Sequence, residues 1–224
     1  MVLDGGLKSK GCMRVEKLGD IELRCCDCME YMRGLEDGAF DLAIVDPPYR
    51  NASENQPTKD MRRNGGGMMQ KWNDKPSKEF FDELFRVSKH QIIFGANNFE
   101  LPTYKGFFVW KKKTIGEDFT MSMCELAYVS EALSTIAKMY ECAPQRDKDN
   151  TFHPTSKPIE LYRWLLHKYA KGGWKILDTH IGSGSSAIAC YMEGHELVGC
   201  EINEEYFDKM VVRVKNSMAQ QMLF

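Results

Sequence analysis

The 224-residue sequence predicts an α/β protein with a doubly wound, mostly parallel sheet. Three observations carry that expectation. Short β-rich apolar runs alternate with segments of helical period along most of the chain. One run, Asp41–Val45, is apolar almost throughout, as a strand buried on both faces must be. A glycine-bearing turn, Gly182-Ser183-Gly184, lies between a strand pattern and a helix pattern, as in sheets that bind nucleotides.

The elements follow in order. Ile21–Cys25 reads as a strand, then a helix spans about Met29–Leu35 with Gly38 helping to close it. Asp41–Val45 is the buried central strand. Arg50 to Pro76 is polar, without periodicity, and contains Gly65–Gly67; a loop of that length in a compact domain is usually functional. Ser77 is placed as an N-cap, with Phe80, Phe81, Leu84, Phe85 and Val87 on the buried face of the next helix. Gln91–Phe94 is another buried strand. Phe107–Trp110 and Leu126–Val129 read as an antiparallel pair joined across Lys111, Lys112 and Lys113. Glu131–Asn150 is weakly patterned. Pro158–Tyr169 is an amphipathic helix opening on proline. Lys175–Leu177, a helix Ser185–Met192, the strand Glu196–Cys200 and the helix Glu204–Met218 complete seven strands.

Composition narrows the class. With 43% hydrophobic and 28% charged residues the chain is an ordinary globular protein, and its length fits one domain, 1–224. No apolar run reaches a membrane-spanning length, and Met1–Arg14 lacks the apolar core of a signal peptide, so a cytoplasmic protein with no membrane partner is expected. In a reducing compartment the eight cysteines are expected as free thiols. Cys25, Cys26 and Cys28 lack a second Cys/His pair at zinc-finger spacing, so no metal is expected. The net charge of −2 does not advertise nucleic acid, but basic residues gather locally: Arg50, Lys59, Arg62, Arg63, Lys71 and Lys75 in one stretch, and Lys111–Lys113 in another.

Two motifs carry chemistry. Asp46-Pro47-Pro48-Tyr49 directly follows the buried strand. An exocyclic amino nitrogen on a base is a poor nucleophile because its lone pair is delocalised into the ring. The Asp46 carboxylate and the Pro47 carbonyl are two acceptors that can hold both N–H bonds and favour a pyramidal nitrogen. The prolines stiffen the turn, and Tyr49 offers a flat face to an extruded base. An ordinary Asp-Pro turn after a strand is the plain alternative. The second motif, Leu177 to Ser186, contains Asp178, Gly182, Ser183, Gly184 and Ser185, with Ala187 where a full dinucleotide fingerprint has its third glycine. The two glycines let the backbone pass close to a ligand at a helix N-terminus. Glu201, at the end of the next strand, stands where a carboxylate can grip ribose hydroxyls.

In this order the motifs resemble the N4-cytosine/N6-adenine DNA amino-methyltransferases, in the beta class, where the catalytic DPPY precedes the cofactor loop. His153-Pro154-Thr155-Ser156-Lys157-Pro158 looks like that family's HPTxKP element. The resemblance covers nearly the whole chain and implies a Rossmann-like seven-stranded methyltransferase sheet with an antiparallel edge hairpin and a circularly permuted motif order. It implies S-adenosylmethionine as cofactor and DNA as partner, with the base flipped into the site. Asp46, Pro47, Pro48 and Tyr49 are then the catalytic turn. Asp178, Gly182, Ser183, Gly184 and Ser185 surround the methionine part of the cofactor, Glu201 the ribose, Asp27 the adenine, and Thr155, Ser156 and Lys157 the cofactor carboxylate.

DPPY, as opposed to SPPY, is associated in this family with adenine N6 more than cytosine N4. Cytosine N4, RNA adenine and protein amides (usually with NPPY) are rival substrates. A silent nucleic-acid-binding subunit is the rival class, though both motifs stand intact here. The interval before HPTxKP leaves room only for short recognition loops, 50–76 and 131–152, and the chain ends soon after its last helix, so no appended DNA-binding domain is expected. A short recognition sequence, weak specificity, or an accessory subunit follows; a homodimer is the other expectation the resemblance raises. Arg50, Arg62, Arg63, Lys71, Lys111 and Lys112 are expected on DNA phosphates.

Overall fold

The computed structural model describes residues 14–49, 74–144, 152–153 and 155–221. Its strands are β1 (Arg14–Leu18), β2 (Ile21–Cys25), β3 (Phe40–Val45), β4 (Ser88–Phe94), β5 (Phe107–Lys112), β6 (Cys124–Val129), β7 (Lys138–Cys142), β8 (Lys175–Asp178) and β9 (Glu196–Glu201). The helices are α1 (Cys28–Arg33), α2 (Lys78–Val87), α3 (Ile159–Tyr169), α4 (Ser185–Glu193) and α5 (Glu204–Gln221). All nine strands form one sheet in the order β1-β2-β9-β8-β3-β4-β6-β5-β7. The seven expected strands are its inner members, and β1 and β7 extend it at the two edges. The centre from β2 to β4 is parallel. β6 runs antiparallel to both β4 and β5, as the expected hairpin requires.

Each central strand buries both faces, which explains its unbroken apolar sequence. Leu42 and Ile44 pack into the core under α3, α4 and α5. Their neighbours Ala43 and Val45 pack on the other side with Phe80, Phe81 and Leu84 of α2. Ile92 and Phe94 against Ile93, and Ile176 against Leu177, alternate in the same way. A fully buried side chain of this size stabilises the fold by roughly 1.5–3 kcal/mol.

Several local expectations are corrected. α1 is capped by Asp27, whose carboxylate accepts from the Met29 N–H at 2.7 Å, and it ends at Gly34; Gly38 instead turns the chain into β3. Ser77 holds the N-cap position of α2 without a capping side-chain bond, and Phe85 is only partly buried. Pro158 is the extended residue before α3 and lies outside its first turn. Within the 131–152 interval, residues 138–142 form β7, which pairs in parallel with β5. That interval is therefore partly sheet.

The topology decides where chemistry can gather. From β3 the chain crosses through α2 to β4 on one side, and from β8 through α4 to β9 on the other. The order thus reverses between β3 and β8, and the carboxyl ends of those neighbouring strands border a crevice. Because β6 is antiparallel to β4, its first residues lie at the same rim as the last residues of β3, β4, β5, β8 and β9.

Candidate active site

Both motifs open at this crevice. Asp46 lines one cleft together with His153, Thr155, Ser156, Lys157, Tyr162 and the loop His180–Ser183, and Ser185 closes it. The distant turn and glycine loop therefore share a single opening.

The Asp46 turn is held by charge. Tyr49 Oη donates to Asp46 Oδ1 at 2.6 Å, and the Lys157 ammonium pairs with Asp46 Oδ2. Lys157 also reaches Glu125 Oε2 at 3.1 Å, and Glu125 Oε1 takes Lys112 at 2.7 Å. Tyr49 Oη lies 3.2 Å from Glu125. The Lys157 side chain is 4% exposed and its ammonium lies 4.6 Å above the Phe94 ring. Burial pushes the Glu125 carboxyl up, but the two ammonium groups more than reverse this and hold it at about 2. At Asp46, burial raises the proton affinity, and Lys157 and Tyr49 only partly oppose it. Asp46 is thus the carboxyl of the pair that accepts a proton more readily. The Tyr49 ring rests on Gly95, which has φ +70° just after β4; any Cβ there would overlap the ring. Phe99 meets the same ring edge-on at 6.1 Å between centroids.

Across the cleft, Asp178 and Glu201 are acids satisfied by neutral donors. Ser186 Oγ donates to Asp178 Oδ2 at 2.6 Å and the His180 N–H to Oδ1 at 3.1 Å. The Asn203 N–H donates to Glu201 Oε1 at 2.8 Å. Burial pushes both carboxyls up to about 7. Burial likewise keeps His153 and His180 neutral, lowering each to about 4.

The glycines serve a purpose the sequence did not suggest. A Cβ on Gly182 (φ +51°) would come within 2.8 Å of the His153 ring, and one on Gly184 within 2.8 Å of Met210 and Val214. The missing side chains make room for the protein's own packing. Arg213, 8% exposed on α5, donates to Ser183 O at 2.7 Å and Ser185 Oγ at 3.1 Å and so clamps the loop from behind.

The other expected residues divide. Ser156 Oγ meets Ser183 Oγ at 2.6 Å, and Thr155 lines the cleft. Pro47 is buried and Pro48 partly so. Asp27 caps α1 through one carboxylate oxygen, Oδ1. Lys157, which the resemblance puts near a cofactor carboxylate, lines the cleft beside Thr155 and Ser156, and its ammonium joins Asp46 and Glu125. Lys112 was expected on DNA phosphate. It is buried with Glu125 because the strand pleat turns it to the same side as Phe108 and Trp110. Lys111 faces outward and pairs with Glu141 at 3.3 Å. Arg50, Lys59, Arg62, Arg63 and Lys71, and with them most of the 50–76 loop, lie outside the described residues. Sequence reasoning missed Glu125, Gly95 and Arg213. Arg213 left one trace: a charged residue beside the apolar face of Phe207, Met210, Val211 and Val214.

Residues 108–212 match the family described as "DNA methylase", the N6/N4 methyltransferases. The chain resembles the N6/N4 DNA methylases. Among curated proteins this DNA-methylase-like chain is similar to the putative methylase YubD of Escherichia coli (strain K12), 23% identical over 193 residues, covering 80% of this chain and 84% of that one. Among solved structures it is similar to the M1.HpyAVI–SAM complex, with TM-score 0.55 and 17% identity over 87% of this chain and 98% of that one. It is also similar to the PvuII DNA methyltransferase (cytosine-N4-specific), with TM-score 0.59 and 10% identity over 86% of each chain. At these identities the structures share the methylase fold. Among the described residues no helix is long and apolar enough to cross a membrane.

Proposed function

We propose that the protein is an S-adenosylmethionine-dependent DNA methyltransferase that modifies adenine N6. The observation that carries this reading is the cleft that Asp46, at the head of its turn, shares with His180–Ser183 and Ser185 of the glycine-bearing loop. The residues fit the cofactor chemically. Glu201, a buried carboxyl at about 7, is suited to accept two ribose hydroxyls, and Asp178, equally desolvated, is suited to a cationic methionine moiety. Ser183 and Ser185 with the N-terminus of α4 would hold its polar end, and Thr155 and Ser156 would meet its carboxylate. When bound, S-adenosylmethionine supplies the methyl group: the C–S electron pair returns to sulfur as the nitrogen lone pair forms the new N–C bond.

The chain's own residues prepare that nitrogen. Asp46 and the Pro47 carbonyl accept the amino N–H bonds and orient the lone pair toward the loop side of the cleft. The Tyr49 ring, fixed between Gly95 and Phe99, supports the flipped base. The N–H proton lost on methylation passes to the Asp46 carboxylate, whose burial raises its proton affinity, and from there to solvent. Aspartate at the head of the motif supports adenine over cytosine. Arg50, Arg62, Arg63, Lys71 and Lys111 would hold phosphates of the flanking duplex.

The test incubates the protein with methyl-labelled cofactor and, separately, duplex DNA, structured RNA and protein, then digests the DNA to nucleosides. Label in N6-methyladenine is the expected result. Label in N4-methylcytosine would move the target base, and label in RNA alone would overturn the substrate class.

A further inference from the structure

Glu125 is a charged residue on a strand of the sheet, and the transfer chemistry above has no use for it. Its surroundings give it one. The Lys157 ammonium is shared between Asp46 Oδ2 and Glu125 Oε2, while Lys112 takes the other Glu125 oxygen. Glu125, Lys157 and Lys112 reach this point from β6, the segment before α3, and β5, and their side chains are 17%, 4% and 9% exposed. Three separate segments thus form a chain of charges, Lys112 to Glu125 to Lys157, that ends on the one carboxylate that must stay both oriented and free to accept.

We propose that Glu125 is a positioning residue for methyl transfer: by sharing Lys157 it fixes the Asp46 carboxylate in line and keeps the ammonium from neutralising it. This rests on the reading of Asp46 given above. Lys157 paired with Asp46 alone would form a tight two-membered ion pair, and Asp46 would be a weaker acceptor for the amino group. Glu125 divides that attraction, and Lys112 in turn limits how much Glu125 can draw away. Asp46 faces Tyr49 on its own turn, Lys157, Glu125 on β6 with Lys112 behind it, Tyr162 on α3 and Asp178 at the end of β8; His153 and His180 line the same cleft in neutral form.

The arrangement predicts shifts of opposite sign. Asp46 works ionised, so the rate rises with pH as it loses its proton. Glu125→Gln removes a neighbouring negative charge, leaves Lys157 to Asp46, and moves the acid limb of the kcat profile down by about one pH unit. The same change lowers kcat about tenfold, with KM for the cofactor little changed. Lys112→Met leaves the Glu125 charge less compensated and moves the limb up. The double variant brings the limb back toward wild type. Glu125→Asp keeps the charge, and with it the position of the limb, while losing rate.

Thermal melts establish that each variant is folded. A carboxyl ¹³C titration of Asp46 in the cofactor-free protein, its signal assigned by loss in Asp46→Asn, reads the same shifts without any turnover. Opposite shifts in Glu125→Gln and Lys112→Met support the proposal. Shifts in one direction, or none in two folded variants, overturn it. If the wild-type protein moves no methyl group to DNA, the proposed activity falls, and the Asp46 titration still decides the role of Glu125.

Discussion

Replacing Glu201 by glutamine should strengthen the fold while weakening the site, because stability and binding pull on this carboxyl in opposite directions. Burial raises its pKa from 4.5 to about 7, and the side chain is almost wholly out of water. The folded chain therefore binds a proton more tightly than the unfolded chain. The sign follows: this carboxyl costs nothing below about pH 4.5, and its cost grows as pH rises to about 7. At about 1.36 kcal/mol for each pKa unit, the ionised group destabilises the fold by about 3 kcal/mol above that range. Glutamine cannot ionise, so Glu201→Gln should be more stable than wild type by up to about 3 kcal/mol near pH 8 and by little near pH 5. Taking the difference between the two proteins removes the part of the Asp178 titration common to both and leaves Glu201 together with its repulsion from Asp178. Glutamine also loses two charge-assisted acceptors, so cofactor affinity should fall by at least about tenfold. Wild-type affinity should rise from pH 6 to about 8 as Glu201 ionises, and that slope should flatten in the variant. Urea melts at the two pH values, with calorimetry of S-adenosylmethionine binding, measure both effects. Equal destabilisation at both pH values, or unchanged affinity, would refute the placement of Glu201.

Other changes separate the two sides of the cleft. Asp46→Ala should abolish transfer, a loss of about a thousandfold or more, with cofactor affinity nearly unchanged by calorimetry; lost binding would mean that Asp46 belongs to the cofactor side. Gly95→Ala should push the Tyr49 ring out of place and add the strain of a positive φ, lowering kcat and costing about 1–3 kcal/mol in a denaturant melt. Arg213→Met should leave Ser183 O without its buried donor, destabilising by about 1–3 kcal/mol and weakening cofactor binding in the same calorimetric assay.

The central sheet was legible because strands buried on both faces leave little room for polar residues. The edges were not. β1 is Arg-Val-Glu-Lys-Leu, mostly exposed, and no apolar run announces it. β7 alternates partly buried and exposed residues with a single buried Cys142, too weak a pattern over a short edge strand. Within the site, the acidic and glycine-bearing turns could be read because they follow apolar strands directly. The charge network could not, since it depends on which strands are neighbours. Glu125 is near Asp46 only because β6 reverses direction beside β4. Lys112 is the instructive case. In a run of three lysines it looks like surface, yet the period of two that puts Phe108 and Trp110 inside carries it inward as well.

The most direct test is methylation-sensitive sequencing of DNA from a methylase-deficient bacterium expressing the chain, beside the same strain expressing Asp46→Ala. N6-methyladenine is expected with the wild-type chain, and none with the variant. Unmodified adenine in both, or equal modification in both, would contradict it.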